Sequence, residues 1–394
     1  MQTPGILVLN SGSSSLKAAV YEHSDDLPCL WTARVERIGS QEAFCTLTDE
    51  AGDKHRRSFE KDEGRTHETV IGWLLQQLDE ASSLEVVAAG HRIVHGGVHF
   101  SGATLINDAV LDRLTALIPM ARSHQPFGLA GVNGVRAMSP DLPQVASFDT
   151  AFHSTLPHVV SEMPLPRSIT DKGVRRYGFH GLSYQWIASQ LPNVRMEGVS
   201  GRVIVAHLGN GSSLCGMKDG KSTSTTMGFT PLDGLMMGER PGAIDAGVVL
   251  YLLEEMQLPI SDVQRLLYKE SGLLGVSGLS NDMRVLEASD EPHAKEAIDL
   301  YVHQAARQIA VVASDLAGLD ALVFTAGIGE NSAYIRSRIV ELCEWMGVFA
   351  DAEKNTQGAA CISPVGSPIQ VYVIPTNEEA VIAGNTRTVL AEQG

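Results

Sequence analysis

The feature that most constrains this chain is a strand, a turn rich in glycine and serine, and a second strand, which occur twice. Near the N-terminus, the apolar run 6–9 stops at Asn-Ser-Gly-Ser-Ser-Ser and restarts at 16–21. Near the middle, 202–206 is followed by His-Leu-Gly-Asn-Gly-Ser-Ser and by a turn at 218–221. Both patterns predict a β-hairpin. The chain is therefore either a duplicated domain or a protein in which two short turns match by chance.

Strand and helix patterns alternate around both hairpins. The other runs that predict strands are 86–89, 145–148, 321–325 and 369–374. The runs with helical spacing are 66–78, 109–121, 243–256, 260–268 and 294–316. After the last strand, Pro-Thr-Asn-Glu-Glu opens a C-terminal helix that is capped by Thr376 or Asn377. This alternation indicates an α/β protein, and the second hairpin sets a domain boundary near residue 150.

Charge and cysteine content argue against several classes of protein. The chain has 30 Lys and Arg against 46 Asp and Glu, and its net charge of -16 opposes binding to nucleic acid or an anionic membrane. An anionic ligand therefore needs a local basic site. Five cysteines without a Cys-x-x-Cys pair are typical of a reducing compartment, so we expect a cytoplasmic protein. We expect neither a signal peptide nor a membrane anchor, because the N-terminus has no basic start and only a four-residue apolar run, and no later apolar run approaches roughly 18 residues.

The first hairpin turn has the chemistry of a phosphate site. Residues 10–15 offer small side chains, hydroxyl groups and backbone N–H groups, and Lys17 adds a cation. A turn that needs only glycine and polar residues explains the same pattern. The second turn, at 207–213, has similar chemistry, and two such turns at strand ends would hold the phosphates of one nucleotide.

Other nucleotide and metal signatures do not occur in the sequence. The segment 216–222 resembles a Walker A loop but has three residues between its glycines where that loop needs four. Neither 209–211 nor 327–329 continues to the third glycine of a dinucleotide fingerprint, and no His-Glu-x-x-His spacing is present. The three histidines of 91–99 follow four-residue steps that would not bring them to one ion. The sequence therefore argues against NAD, zinc and haem.

Several polar residues outside the hairpins are candidates for a site. Arg92 follows a strand, where a guanidinium can hold a carboxylate in bidentate fashion. Asp149 ends a strand, which places it either in the ligand crevice of an α/β fold or at a helix cap. His180 has glycines on both sides in Tyr-Gly-Phe-His-Gly, which leaves room for a ligand. Arg240 is either fixed in a turn by Pro and Gly or a surface residue. The carboxylates at 378–379 either stabilise a helix start or, in a nucleotide site, include one magnesium ligand.

Seven motifs, in order and over almost the whole chain, resemble the acetokinase family. They are Asn-Ser-Gly-Ser-Ser-Ser-Leu-Lys at 10–17, Gly-His-Arg-Ile-Val-His-Gly-Gly at 90–97, Phe-Asp-Thr-Ala-Phe-His at 148–153, Tyr-Gly-Phe-His-Gly at 177–181, His-Leu-Gly-Asn-Gly at 207–211, Phe-Thr-Ala-Gly-Ile-Gly-Glu-Asn at 324–331 and Pro-Thr-Asn-Glu-Glu at 375–379. The resemblance implies an α/β fold of two duplicated ribonuclease-H-like domains, as in actin-like ATPases and sugar kinases, with an interdomain nucleotide cleft. It implies an N-terminal domain of 1–150 plus 382–394 and a nucleotide-binding domain of 151–381.

The resemblance also assigns roles to individual residues. The residues that it implies in catalysis are Asn10, Arg92, Asp149, His180 and Arg240. Those that it implies around the acyl substrate are Arg92, Val94, His124, Phe179 and Pro231. Those that it implies around the nucleotide are Ser13, Ser15, Lys17, His207, Gly209, Asn210, Gly211, Asp282, Met283, Arg284, Gly327, Ile328, Gly329 and Asn331. Asn10 and Glu378 are implied at the magnesium ion, which Asp149 also serves.

Three departures from the family pattern lie near the acyl site. Ser123 stands where the family usually has a leucine, before the histidine at 124. The turn around Arg240 reads Gly-Glu-Arg-Pro-Gly-Ala-Ile-Asp-Ala instead of Gly-Thr-Arg-x-Gly-Asp-Leu-Asp-Pro. Gly-Leu-Ser-Tyr at 181–184 replaces Gly-Thr-Ser-His. We therefore expect an acyl pocket that is more polar or differently shaped than the family's.

The resemblance implies a reversible, magnesium-dependent transfer of a phosphoryl group from ATP to acetate, which gives acetyl phosphate and ADP by direct in-line attack. We expect Mn²⁺ to substitute for Mg²⁺, a homodimer, and no nucleic acid or membrane partner. A kinase of propionate or butyrate stays open, because one methylene group discriminates by only about 10- to 200-fold. An ATPase that uses the same superfold for conformational change, without phosphorylating an acid, is the alternative of another class.

Overall fold

The computed structural model describes residues 2–49, 52–60, 62–80, 83–122, 124–194 and 201–393. The chain forms two compact units. Unit 1 comprises Met1–Phe152 and Asn377–Gly394, and unit 2 comprises His153–Thr376. The chain thus enters unit 2 just after the expected boundary at 150 and leaves it shortly before the expected one at 381.

The described part of the chain has the following secondary structure. The strands are β1 (Thr3–Ser11), β2 (Ser15–Glu22), β3 (Cys29–Glu36), β4 (Phe44–Thr48), β5 (Lys54–Ser58), β6 (Leu84–Ile93), β7 (Thr104–Leu105), β8 (Gln144–Phe148), β9 (Arg202–Leu208), β10 (Ser212–Lys218), β11 (Lys221–Thr225), β12 (Ala321–Thr325) and β13 (Gln370–Val373). The α-helices are α1 (His67–Glu80), α2 (Asp108–Ala116), α3 (Gln125–Met138), α4 (His158–Ser161), α5 (Arg167–Thr170), α6 (Gly181–Val194), α7 (Ala246–Glu254), α8 (Ile260–Lys269), α9 (Gly272–Ser277), α10 (Met283–Glu287), α11 (Pro292–Asp315), α12 (Ala326–Asn331), α13 (Ala333–Cys343), α14 (Ala352–Thr356) and α15 (Glu378–Ala391). Short 3₁₀ turns are Ile118–Met120, Ala151–Thr155 and Glu344–Met346.

Each unit is built on one mixed sheet. The sheet of unit 1 has the order β5-β4-β3-β2-β1-β6-β8-β7, and that of unit 2 has the order β11-β10-β9-β12-β13. In unit 1, β1 pairs antiparallel with β2 and parallel with β6, while β2–β3 is antiparallel and β6–β8 is parallel. In unit 2, β9 has the same relation to β10 and β12, and β10–β11 and β12–β13 repeat the outer pairings. Five strands with equal order and direction confirm the duplication, because two matching turns alone would not produce it.

The two predicted hairpins place their polar turns at the same end of each sheet. In the first, Asn10 pairs with Lys17 across β1 and β2. In the second, Leu208 pairs with Ser212 across β9 and β10, so Gly209–Gly211 forms the turn. The turn follows the carboxyl end of β1 or β9, where the neighbouring parallel strand also ends. Ligands of α/β sheets bind at that end.

The central strands are buried along most of their length. Helices α3 and α15 pack against β1 and β6 in unit 1, and α11 and α12 pack against β9 in unit 2. Strands covered in this way have continuous apolar runs instead of alternating ones, which is why β1 and β9 could be recognised in the sequence. Among the described helices, none joins the length to the apolar character that a membrane crossing requires.

Two of the predicted helices differ from the structure by three residues or more at one end. The helix predicted at 109–121 ends at Ala116, and a 3₁₀ turn that contains Pro119 follows. Proline has no N–H group and disfavours helical geometry in the residue before it, so the regular helix stops ahead of it. The helix predicted at 243–256 begins at Ala246, because the Asp245 side chain accepts a hydrogen bond from the Gly247 N–H as its cap.

Candidate active site

Asn10 lies next to the end of β1 and connects this strand to the start of α15. Its amide Nδ2 donates to Glu378 Oε2 at 3.2 Å and to Glu379 Oε1 at 3.1 Å. Lys17 Nζ, across the hairpin, lies 3.7 Å from the same Glu379 Oε1. The Asn377 side chain caps α15 by accepting from the Ala380 N–H, which settles the choice of cap residue. The helix cap therefore holds two carboxylates beside the first hairpin turn.

Arg92 and Asp149 form a buried ion pair in the same unit. Arg92 Nη2 donates to Asp149 Oδ2 at 2.6 Å, and Nε lies 3.0 and 3.2 Å from the two carboxylate oxygens. Register explains the pairing: Arg92 pairs with Ser147 across parallel β6 and β8, and Asp149 comes directly after β8. Arg92 Nη1 also donates to Asn10 Oδ1, at 3.2 Å. The Asp149 carboxylate therefore holds the Arg92 guanidinium in position. This contact is an ion pair between side chains and differs from the backbone contact of a helix cap.

The cluster around Asn10 and Arg92 contains more carboxylates than cations. Burial works against a charged Arg92, but Asp149 and Glu378 raise its pKa above the ordinary value, so the guanidinium stays protonated. Burial raises the pKa of the Asp149 carboxyl, while Arg92 opposes that rise. Two cations, Arg92 and Lys17, face three carboxylates, Asp149, Glu378 and Glu379. With Asp149 ionised, the cluster carries one excess negative charge.

A magnesium ion fits the donors at Asn10. Glu378 Oε2 and Glu379 Oε1 converge on one amide nitrogen, so both carboxylates reach the same small volume. The described residues contain no group of three or more His, Cys, Asp or Glu side chains that would hold a metal by themselves. Magnesium is usually held by one or two carboxylates together with substrate phosphates and water. The donor set and its excess charge are therefore suitable for this ion.

In unit 2, two histidines lie at the second hairpin. The rings of His180 and His207 stack with centroids 4.1 Å apart. His180 Nδ1 is hydrogen-bonded to Ser213 Oγ at 2.8 Å, and the Tyr184 hydroxyl bonds the same Ser213 Oγ. His207 Nδ1 is hydrogen-bonded to Ser183 Oγ at 2.9 Å. Both rings are thus held in one orientation.

Arg240 points at the same turn from a different loop. Its Nη1 donates to the Pro231 carbonyl at 2.6 Å. The described ion pairs do not include Arg240, and the neighbouring Glu239 pairs with Lys269 instead, at 3.4 Å. Burial lowers the pKa of the Arg240 guanidinium to about 10, so it is still charged at neutral pH. Among the described residues, its side-chain hydrogen bond goes to a neutral carbonyl, and a largely buried cation of this kind is a suitable ligand for an anion.

Gly211 lies where these groups converge. A Cβ atom at this position would lie 2.8 Å from Arg240 Nη2 and 3.2 Å from His180 Nε2. Asn210, its neighbour, accepts a hydrogen bond from the Gly238 N–H through its carbonyl, at 3.0 Å. The loop that carries Arg240 is therefore tied to the hairpin turn, and only glycine leaves both side chains undisturbed.

The residues assigned to adenosine form a second group beside this turn. Gly209 lies against Ala326 and Gly327, which begin α12 directly after β12. Asn331 Nδ2 donates to the Gly327 carbonyl, which closes that short helix on itself. Ser332 Oγ donates to Glu287 at 2.6 Å and so connects α12 and α13 to α10. The turn at 209–211 and the helices α10 and α12 thus lie close together within unit 2.

Asp282, which caps α10, and the first two residues of that helix offer different groups to a ligand. The Asp282 side chain caps the helix and pairs with the exposed Arg284, which lowers the pKa of the Asp282 carboxyl. The Met283 side chain is buried in the core of unit 2, with Leu286. Only the backbone of Met283 is therefore available to a ligand, which the sequence could not indicate.

Of the residues that the family resemblance implies around the acyl substrate, Val94 and His124 belong to unit 1, and Phe179 and Pro231 belong to unit 2. Val94 of unit 1 and Phe179 and Pro231 of unit 2 are buried. His124 is half-buried at the N-terminus of α3. Gln125 bonds both backbone groups of His95, at 3.1 Å each, which ties the segment of His124 to that of Val94. Ser123, the departure from the family pattern, lies outside the described residues.

Several residues of this arrangement were not recognised in the sequence. Ser183, Ser213 and Tyr184 hold the two histidines, and Glu330 Oε1 accepts from the backbone N–H groups of Ala326 and Thr376. One of them had a usable signal. This residue is Ser213: counting residues outward from the turn places it opposite His207 in the hairpin, and the structure has the same pairing.

The chain is similar to known proteins over nearly its whole length. The family model described as "Acetokinase family" matches residues 5–384. A protein of Rhodopseudomonas palustris named acetate kinase is 46% identical over 390 residues, with 96% of each chain covered. A solved propionate kinase from Francisella tularensis subsp. tularensis is 38% identical with a TM-score of 0.92, over 99% of this chain and 100% of that one. A solved acetate kinase from Porphyromonas gingivalis is 36% identical with a TM-score of 0.87, over 98% and 100%.

Proposed function

This chain belongs to the acetokinase family, and on that premise we propose that it transfers the γ-phosphoryl group of ATP to acetate in a reversible reaction. The products are acetyl phosphate and ADP. The observation that carries the proposal is the convergence of Arg240 and His180 at Gly211, with the Arg240 guanidinium bonded to a backbone carbonyl. A guanidinium that is held by a neutral carbonyl can stabilise the negative charge on the equatorial oxygens of the phosphoryl group during transfer.

The chemical step needs no general base. A simple carboxylic acid has a pKa of about 4, so acetate is ionised at neutral pH. One carboxylate oxygen attacks the γ-phosphorus opposite the leaving oxygen. The new P–O bond forms as the bond to the β-phosphate oxygen breaks, and ADP leaves with that electron pair. The protein therefore contributes by positioning the reactants and by neutralising their charge.

Four side chains supply that contribution in our proposal. Arg240 offsets the charge on the phosphoryl group, and His180, held by Ser213, contacts one of its oxygens. Arg92 holds the acetate carboxylate, and Asp149 keeps the guanidinium in place. Acetate and the γ-phosphate repel each other, and two arginines reduce that repulsion.

Nucleotide and metal binding follow from the remaining groups. We assign the phosphates to the turns at 10–15 and 209–211 and to Lys17, and the adenosine to 282–284 and 327–331. Asn10 and Glu378 would hold a magnesium ion, which when bound neutralises phosphate charge. Mn²⁺ has the same oxygen-ligand preference. We place the reaction in the cytoplasm, because all five cysteines are free thiols, as is typical of a reducing compartment.

The proposal is tested by measuring ADP with Mg²⁺ and ATP while acetate, propionate, butyrate or no acid is offered, with hydroxylamine to trap the acyl phosphate. We expect trapped product and ADP in equal amounts, with the highest kcat/KM for acetate, and loss of both when EDTA removes the metal. A higher kcat/KM for propionate would assign the function to a longer acid, and the similarity to a propionate kinase makes that the second candidate. ADP without trapped product would identify an ATPase.

Gly211→Ala is expected to lower kcat by about 10²-fold with little change in melting temperature. The new methyl group displaces Arg240 Nη2 and His180 Nε2, which are the ends of side chains and move at small cost to folding. Steady-state kinetics and thermal unfolding measure the two effects. Gly102→Ala is the matched control, because a Cβ there meets no atom within 4 Å. Equal kcat in both variants would contradict the proposed role of this turn.

We also propose that the protein is a homodimer that associates through α7. The helix has the sequence Ala-Gly-Val-Val-Leu-Tyr-Leu-Leu-Glu, yet none of its residues is buried. Val248, Leu250 and Tyr251 are 46%, 56% and 57% exposed, and Met256 and Ile260 extend the apolar surface. An apolar helix that faces water marks an interaction surface. A second copy is the natural partner, because most soluble oligomers are symmetric homodimers.

Light scattering after gel filtration tests the dimer. The unmodified chain is expected at twice its mass of 42.2 kDa, and the double variant Leu250→Glu/Tyr251→Glu is expected to elute as a monomer. Val365→Glu is the control, because Val365 is 97% exposed and lies outside α7. A monomeric unmodified chain, or a double variant that stays dimeric, would contradict the assignment of α7.

A further inference from the structure

His153 lies at the start of unit 2, in the 3₁₀ turn Ala151–Thr155, and has no role in the reaction described so far. Its ring is buried, with 3% of its surface exposed. Nε2 lies 3.0 Å from the Phe179 carbonyl, and Nδ1 lies 2.8 Å from Ser222 Oγ. Burial lowers the pKa of His153 to about 4, so the ring is neutral at physiological pH.

The partners determine which nitrogen of His153 carries the proton. A carbonyl oxygen only accepts hydrogen bonds, so Nε2–H donates to Phe179. Nδ1 of the neutral ring is then an acceptor, and the Ser222 hydroxyl donates to it. Ser222 Oγ in turn lies 3.5 Å from Cys215 Sγ, which donates to it. The neutral ring thus accepts one hydrogen bond, from Ser222, and donates one, to the Phe179 carbonyl.

The chain bends around this ring on its way to His180. Gly178 has φ +73°, and a Cβ atom there would lie 2.6 Å from the His153 ring. His180 has φ +59°, in the left-handed region that non-glycine residues rarely adopt. Such a conformation persists only where the surroundings impose it. The bond from His153 to the Phe179 carbonyl holds the peptide directly before His180 and is part of that constraint.

His153 also contacts Tyr184, which shares a hydrogen-bond partner with the His180 ring. The rings of His153 and Tyr184 pack edge to face, with centroids 5.6 Å apart and the planes at 73°. Tyr184 bonds Ser213 Oγ, which is the partner of His180 Nδ1. His153 therefore acts on the backbone of His180 through Phe179 and on its imidazole through Tyr184.

We propose that His153 is a positioning residue that holds His180 in the left-handed conformation that catalysis requires. The inference rests on the proposed function, in which His180 contacts the transferred phosphoryl group. His153 itself touches neither substrate in this scheme. It sets the direction of the His180 side chain, and a small misplacement of such a group reduces turnover more than binding.

Two substitutions separate the hydrogen bond from the volume of the ring. His153→Phe keeps a ring but removes the donor to Phe179, and we expect kcat to fall about 10- to 100-fold, with the KM values for ATP and acetate changed much less. His153→Gln places an amide N–H near the position of Nε2, and we expect it to recover most of that loss. Ile309→Ala, in the core of unit 2, is the control for lowered stability, with no expected effect on kcat.

A crystal structure of the His153→Phe variant supplies a readout that does not depend on activity. We expect His180 to leave φ +59° and the Ser213 bond to lengthen. Ser222→Ala, which removes only the hydroxyl at Nδ1, provides a milder variant in case the phenylalanine variant does not fold. Unchanged kcat in His153→Phe and Ser222→Ala, or equal losses in His153→Phe and His153→Gln with His180 in place, would overturn the proposal. If no acid is phosphorylated by the unmodified protein, the proposed function fails, and the φ of His180 still tests the positioning.

Discussion

Arg240→Ala is expected to lower kcat for acyl phosphate formation by about 10³-fold or more, as for other arginines that neutralise a transferred phosphoryl group. The guanidinium is held by the Pro231 carbonyl and is charged at neutral pH, so its positive charge is available to the substrate. Arg240→Lys is expected to recover only part of the loss, because an ammonium group cannot bond the carbonyl and a phosphoryl oxygen with the same planar geometry. Kinetics at saturating ATP and acetate measure the effect.

The stability of the Arg240 variant separates this role from a structural one. Burial lowers the pKa of Arg240 from its ordinary value to about 10, so the folded state binds this proton less tightly than the unfolded chain does. The charge therefore costs stability at neutral pH, and the cost is relieved only as the pH rises through about 10. We expect the free energy of unfolding at pH 7 to stay equal or increase in Arg240→Ala. A marked decrease, or a change in KM alone, would count against the catalytic role.

The second large effect is expected at Asp149. Asp149→Ala leaves Arg92 in a largely buried position without its carboxylate, and removing one partner of a buried pair costs about 3–5 kcal/mol in the free energy of unfolding. Arg92 then loses its orientation, so we expect kcat to fall by about 10²-fold or more as well. Chemical denaturation and kinetics on the same preparation measure both quantities.

A matched control for Asp149 exists in the same unit. Arg136 and Asp108 are also 2.6 Å apart, but their side chains are 46% and 80% exposed, whereas those of Arg92 and Asp149 are 21% and 1% exposed. An exposed pair contributes only about 0–1 kcal/mol, so Asp108→Ala should be nearly silent in stability and activity. Equal destabilisation by the two substitutions would show that burial does not determine the strength of the Arg92 pair.

The strands that build the site could be recognised in the sequence, whereas helix α3 beside it could not. Helix α3 contains Gly128, Gly131 and Gly134, and glycine is a poor helix former. In the structure these glycines allow close approach. Cβ atoms there would lie 3.0 Å from the Arg92 carbonyl, 3.2 Å from Ser11 Oγ and 3.3 Å from Ile71. The glycines are thus explained by tertiary contacts, which helix propensity does not describe.

The same limit applies to the side chains of the candidate site. The pairing of Asn10 with Lys17 follows from one hairpin, and the sequence is sufficient to derive it. The bonds of Arg92 to Asp149 and of Asn10 to Glu378 join residues far apart in the chain, so they require the strand order and the position of α15. Family resemblance named these residues as a group. Their contacts came from the structure.

Strand β5 was missed for a different reason. Its sequence, Lys-His-Arg-Arg-Ser, is exposed at every position and lies at the edge of the sheet. It has no apolar alternation by which a strand is recognised. Charged residues on an edge strand oppose pairing with the strands of other chains. The same charged composition that prevents recognition of β5 from the sequence therefore also opposes aggregation through this edge.

The last helix of unit 1 has a consequence for the order in which the protein is made. Helix α15 packs against β1, β6 and β8, and Gly90 in β6 leaves room for Ile382 and Thr386. The larger part of unit 1 is therefore translated before unit 2, but unit 1 stays incomplete until α15 has left the ribosome. Unit 2 is one uninterrupted segment, and all of its strands and helices are available once Thr376 has emerged. The half that is synthesised second is thus the first that can finish folding on the ribosome.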